Sequence, residues 1–201
     1  MYRIFITILS FIMPIFALII PNTTYNSVTN IHNNTIFLSS NSGIYNQSGV
    51  VIREVGGRDY IVAYIKKVDK NRAKIIDKDP IDGNPLANIK PTVKVGDRVI
   101  FGFLYDKVVI LAQNKELYNS IRMQIGVKTI NPDYFLAFLK GKEPSSKDYE
   151  NFAKMVGVGL FIIAKDGIIK LYDPISKSVI LKESYNINST KKQEPFFTNF
   201  N

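Results

Sequence analysis

Val95-Gly-Asp-Arg-Val-Ile-Phe-Gly-Phe-Leu-Tyr-Asp-Lys-Val-Val-Ile-Leu-Ala-Gln113 is the stretch on which the reading of this chain turns. It holds two apolar runs, Val99 to Leu104 with Phe101 and Phe103, and Val108 to Leu111. Short runs of Val, Ile and Phe bounded by turn residues suit strands covered on both faces. The segment is expected at the centre, with the chain before and after packed against it. The first run is assigned to a β unit that precedes it, and the second opens a unit of different texture.

Upstream, the spacing predicts a meander. Strands are expected at 35–39, 49–55, 60–68 and 72–77, separated by turn clusters such as Gly56-Gly57-Arg58-Asp59 and Asp69-Lys-Asn71. In the third, Ile61, Ala63 and Ile65 face one way and Tyr60, Val62 and Tyr64 the other. Closely spaced strands of this kind suggest a small antiparallel sheet or a partly closed barrel. Asn22 to Asn34 is polar and reads as a flexible lead-in with a short strand at 25–31. Asp79 to Pro91, with Pro80, Pro85 and Pro91, reads as a surface excursion or a binding loop.

Downstream, helical signals take over. Asn114 caps a helix over 115–125 with Leu117, Tyr118, Ile121 and Ile125 on one face. A short strand is expected at 127–130. Asn131-Pro132-Asp133 starts a second helix and Ser145-Ser-Lys-Asp148 a third. Strands at 158–164, 168–172 and 177–182 follow, the first two joined at Asp166-Gly167. The fold class is therefore α+β: a small barrel-like antiparallel β half, then an α/β half with about three helices and a C-terminal β meander. The expected divisions are 1–22, a signal peptide or uncleaved anchor; 23–104, a β-rich domain; 105–184, an α/β domain; and 185–201, a flexible tail.

The targeting assignment rests on Met1-Tyr-Arg3 followed by an apolar run from Ile4 to Ile20. As a helix this run spans roughly 25 Å, short of a hydrocarbon core of roughly 30 Å, and Pro14 interrupts it. An exported chain with no stable membrane span after cleavage is the expectation. No cysteine is present, which excludes a disulfide framework and a thiol nucleophile. The lone His32 lacks a partner for metal or acid–base work, and no nucleophile elbow or dinucleotide fingerprint occurs; Val156-Gly-Val-Gly159 follows a helix instead of opening one. Asp77, Asp79 and Asp82 lack the ligand spacing of a calcium loop. No catalytic, cofactor or metal residues are assigned, and no enzyme activity is expected.

The net charge is +9. Lys66, Lys67, Lys70, Arg72 and Lys74 fall within one hairpin. They either guard an exposed strand edge against pairing or form an anion- or protein-binding stripe. Lys191 and Lys192 lie near the end, with Phe196, Phe197 and Phe200 beyond them, aromatics that would dock on a partner or on the domain itself. These ten residues are the candidate partner-binding set. Nucleic acid is not an expected partner.

Lys90-Pro-Thr-Val-Lys-Val-Gly-Asp97, Phe103-Leu-Tyr-Asp106, Val109-Ile-Leu-Ala-Gln-Asn114, Asn131-Pro-Asp133, Ser146-Lys-Asp-Tyr149 and Val158-Gly-Leu-Phe161 resemble, in order and spacing, the N-terminal domain of the plasminogen-binding proteins of epsilon-class proteobacteria. The resemblance covers roughly residues 40 to 183. It implies an exported, non-enzymatic binding protein of the Gram-negative cell envelope, in the periplasm or on the cell surface, with a plasminogen-like host protein as partner. In that family binding is attributed to a lysine ending a longer tail, where ammonium and free carboxylate sit together for a kringle module. This chain ends Phe200-Asn201, so that feature is not matched. The alternative expectation is a periplasmic scaffold subunit of an envelope assembly, such as the accessory disks of the flagellar motor.

Overall fold

The computed structural model describes residues 18–77 and 92–185. The expectations for 78–91 and for the tail beyond 185, with Lys191, Lys192, Phe196, Phe197 and Phe200, lie outside the described residues, as does most of the expected targeting segment.

The first half is a closed antiparallel barrel. Its strands are β1 (Thr24–His32), β2 (Thr35–Leu38), β3 (Ser48–Val55), β4 (Arg58–Asp69), β5 (Arg72–Asp77) and β6 (Arg98–Phe101), in the order β1-β2-β5-β4-β3-β6. Side chains fill it, as they must in a barrel this small: Val28, Ile36, Leu38, Val51, Ala63, Ile65, Ala73, Ile75, Val99 and Phe101 are all buried. The lead-in is a correction to the sequence reading. Asn22 to Asn34 is mostly a nine-residue strand, and it closes the barrel by pairing with both β2 and β6. Its polar composition hid it because Val28 is its one buried residue.

The alternation foreseen in β4 holds from Ala63 onward and fails at Val62. The register with β3 steps from Val51↔Ala63 to Ile52↔Ile61, so Val62 is an extra residue and is buried beside Ala63. The run Val99 to Leu104 is likewise shorter as a strand. β6 ends at Phe101, because Gly102 (φ +70°) and Leu104 (φ +67°) turn the chain out of the barrel. Asp97, at the entry to β6, is nearly buried and takes a two-point ion pair from Arg53 of β3, Nε to Oδ1 at 2.9 Å and Nη2 to Oδ2 at 2.7 Å.

The second half is a three-layer sandwich. Its sheet is built from β7 (Lys107–Ala112), β8 (Lys128–Ile130), β9 (Leu160–Lys165), β10 (Ile168–Asp173) and β11 (Ser178–Ser184), in the order β11-β10-β9-β7-β8. β7 runs parallel to β8 and β9, and β9 to β11 form the antiparallel meander. Helix α1 (Lys115–Gln124) covers one face; α2 (Pro132–Leu139) and α3 (Ser146–Val156) cover the other. β7 is thus buried on both sides, as its unbroken apolar run requires. Val108, Ile110 and Ala112 meet Leu117 and Ile121 of α1, while Val109 and Leu111 meet Phe135, Phe152 and Phe161. Phe135 holds that side together, with its ring centre 5.0 Å from those of Tyr149, Phe152 and Phe161.

The helix starts follow the capping residues. Asn114 accepts from the Leu117 amide at 2.9 Å and Asn131 from the Asp133 amide at 3.0 Å. Ser145 and Asp148 make a reciprocal capping box. Leu18 is buried in the α1-side core and Ile20 packs partly against it.

Candidate functional site

The seam between the two halves and the basic hairpin of β4 and β5 each gather polar side chains with a definite geometry.

The seam is organised by Asp173, at the end of β10 and fully buried. Its Oδ2 accepts from the Ser48 amide of β3 at 2.7 Å and from the Tyr105 hydroxyl at 2.6 Å. Its Oδ1 accepts from the amides of Ile175 and Ser176, both at 3.0 Å. One carboxylate thus ties the barrel, the linker and the meander. Burial pushes the Asp173 carboxyl up, against the pull of these donors, and burial with the neighbouring charge of Asp173 pushes the Tyr105 phenol far up. Beside it, a cleft of about 170 Å³ is lined by Val50, Tyr64, Phe103, Ala153, Val158 and Ile175. Gly159 is needed here, since a Cβ on it would lie 2.4 Å from the carbonyl carbon and oxygen of Leu104. Sequence reading missed Asp173. It sits in Asp173-Pro-Ile-Ser176, where an Asp accepting from amides two and three residues on is an ordinary turn device, and nothing local distinguishes it from one at the surface.

The basic hairpin divides its five cations. Lys67 leaves the set of accessible residues: it is 2% exposed. It follows Ala63 and Ile65 in the inward phase of β4. Its Nζ donates to the carbonyls of Ser42 and Lys70 at 2.5 and 2.7 Å and lies 5.2 Å from the centre of the Phe101 ring. Burial pushes this ammonium below its usual range, opposed by the charge of Asp69. Lys67 is a fastener of the fold. Arg72 is paired with Asp69 across the turn, which holds that carboxyl low, and Lys70 is exposed in the turn itself.

Lys66 and Lys74 behave differently. They stand directly opposite each other in register, on the outer side of the barrel. Lys66 Nζ reaches across to Ser178 Oγ of the meander at 2.6 Å. Neither lysine makes an ion pair among the described residues. The edge-guarding reading does not fit this hairpin, because β4 is paired with β3 and β5, and β5 with β2. An open groove of about 480 Å³ passes both lysines.

Among the described residues no three His, Asp or Glu side chains gather in a way that would hold a metal ion. No helix among them is long and apolar enough to cross a membrane. Residues 22–201 match the family described as plasminogen-binding protein pgbA N-terminal. The chain belongs to that family. The match takes in the barrel and the sandwich alike, so the pgbA N-terminal unit comprises both halves and the Asp173 seam that joins them. A comparison with curated proteins found no match. Within this pgbA N-terminal unit, Lys66 and Lys74 are the members of the expected hairpin set that share one accessible concave surface.

Proposed function

We propose that this chain is an exported, non-enzymatic binding module of the bacterial cell envelope, and that its partner is a host protein of the plasminogen kind. Membership of the pgbA N-terminal family over residues 22–201 carries this reading. The apolar run Ile4 to Ile20, which ends just ahead of the matched region, supports export. The outward lysines of β4 and β5 supply cationic groups on a rigid, fully paired scaffold, a suitable platform for a protein partner.

The test combines place and binding. Protease should cut the native protein on intact cells, and immobilised protein should capture plasminogen in a way that a lysine analogue competes away. Protection until the cells are permeabilised would remove a host protein from its normal role. Capture that ignores the lysine analogue would remove lysine recognition from the mechanism.

A further inference from the structure

We propose that the groove across β4, β5 and the β10–β11 turn is a docking site for an acidic peptide segment of a protein partner, one carrying a carboxylate beside apolar residues. It deepens the binding reading above and rests on it. The groove combines cationic and apolar walls: Lys66 and Lys74 line it together with Tyr45, Val68 and Ile76, and Ser176 is contributed by the sandwich.

Three observations point to an anionic occupant. Like charges directly opposite in an antiparallel pair are destabilising, and Lys66 and Lys74 are such a pair with no carboxylate on either among the described residues. A bound carboxylate would relieve that repulsion. Ser176 is 7% exposed and its buried hydroxyl has no hydrogen-bond partner among the described residues, so a donor is left over beside the two cations. Among the described residues no Asp or Glu lines the groove.

The walls select a peptide over a bare anion. Tyr45 is 68% exposed, and Val68 and Ile76 are also open to solvent. Such apolar surface gains nothing from an inorganic anion and is covered by side chains flanking a carboxylate. The barrel is closed here, so recognition runs through side chains and not through strand addition.

The experiment titrates the full chain with two end-blocked hexapeptides, Gly-Phe-Asp-Glu-Leu-Gly and its Asn-Gln counterpart, and with inorganic phosphate, following amide and lysine side-chain signals by NMR. The acidic peptide is expected to shift Lys66, Lys74 and Ser176, and to bind at least about tenfold more tightly than the amide peptide. Lys66→Gln with Lys74→Gln should abolish that preference, whereas Lys128→Gln should not. Thermal melting guards against misfolding: the double variant should melt cooperatively and close to the wild type, the repulsion it removes offsetting the Lys66–Ser178 bond it gives up. Equal binding of both peptides, shifts elsewhere on the molecule, or phosphate binding as tightly as the acidic peptide would each overturn the proposal. Plasminogen capture by the wild type, set beside its peptide preference, separates the two readings. Capture intact while the wild type shows no preference for the acidic peptide sinks the groove alone; no capture by the wild type with the peptide preference intact sinks only the host partner.

Discussion

The Tyr105 hydroxyl donates to Asp173 Oδ2 at 2.6 Å in a place where both side chains are shut off from water. Tyr105 follows the turn out of the barrel and Asp173 ends a strand of the sandwich, so this bond measures how firmly the two halves are joined. Tyr105→Phe keeps the ring and removes one donor from a buried charge, and should cost about 1.5–3 kcal/mol. Asp173→Ala strands the amides of Ser48, Ile175 and Ser176 and should cost more. Chemical denaturation checks both, and a Tyr105→Phe loss below about 0.5 kcal/mol would show the bond contributes little.

Acid should affect two carboxyls in opposite senses. Burial works to raise Glu150, but hydrogen bonds from Lys177 and Lys154 outweigh it and hold the group below its usual range. Its contribution is therefore complete above the ordinary Glu range and is lost as pH falls through the lowered folded value. Asp173 is raised by burial, so its share is present below the ordinary Asp range and is lost as pH rises through the raised folded value. The stability gap between wild type and Glu150→Gln should narrow on acidification. A gap that widens would reverse the assigned direction.

Lys67 and Lys66 are neighbours in sequence with different duties. Lys67→Ala leaves the carbonyls of Ser42 and Lys70 without their donor, at about 1–3 kcal/mol for each stranded group. Lys66→Ala gives up one hydrogen bond, to Ser178, and strands no buried carbonyl, so it should cost less, about 0.5–1.5 kcal/mol. Paired denaturation curves for the two variants test this, and equal losses would contradict the burial of Lys67.

Leu18, within the apolar run Ile4 to Ile20, is buried in the core on the α1 side. Leu18→Ala should cost about 2–5 kcal/mol. Mass spectrometry of the native N-terminus supplies the companion measurement: processing that removes Leu18 without loss of stability would mean this residue is dispensable.

Gly159→Ala should be among the most damaging single changes in the seam. The added methyl would meet the backbone of Leu104 at 2.4 Å, and backbone cannot rotate away as a side chain can. A loss of at least about 3 kcal/mol, or failure to fold, is the expected outcome by expression and melting.

Local chemistry made much of this fold legible. Asn114, Asn131-Pro132 and the Ser145–Asp148 box start the helices where their caps predict. Asp166-Gly167 and Gly56-Gly57 take the positive φ that tight hairpins need. The apolar run 108–111 lies in the strand covered on both faces, and the change of texture near Tyr105 falls where the chain leaves the barrel. The candidate site was legible only in part, since a cluster of lysines in sequence does not say which of them face water.

What the sequence determined by itself was the order and kind of its elements, because caps, turns and apolar periodicity act over a few residues. Three other features were decided by tertiary structure. The polar segment Thr24–His32 became the strand that closes the barrel, since closure satisfies backbone groups whatever the side chains are. Lys67 was turned inward by the phase of β4 and kept there by carbonyls from elsewhere in the chain. Asp173 became the tie between the halves because Ser48 and Tyr105, remote in sequence, bring donors to it. Burial and hydrogen-bond partnership depend on what arrives from a distance, and no local pattern encodes that.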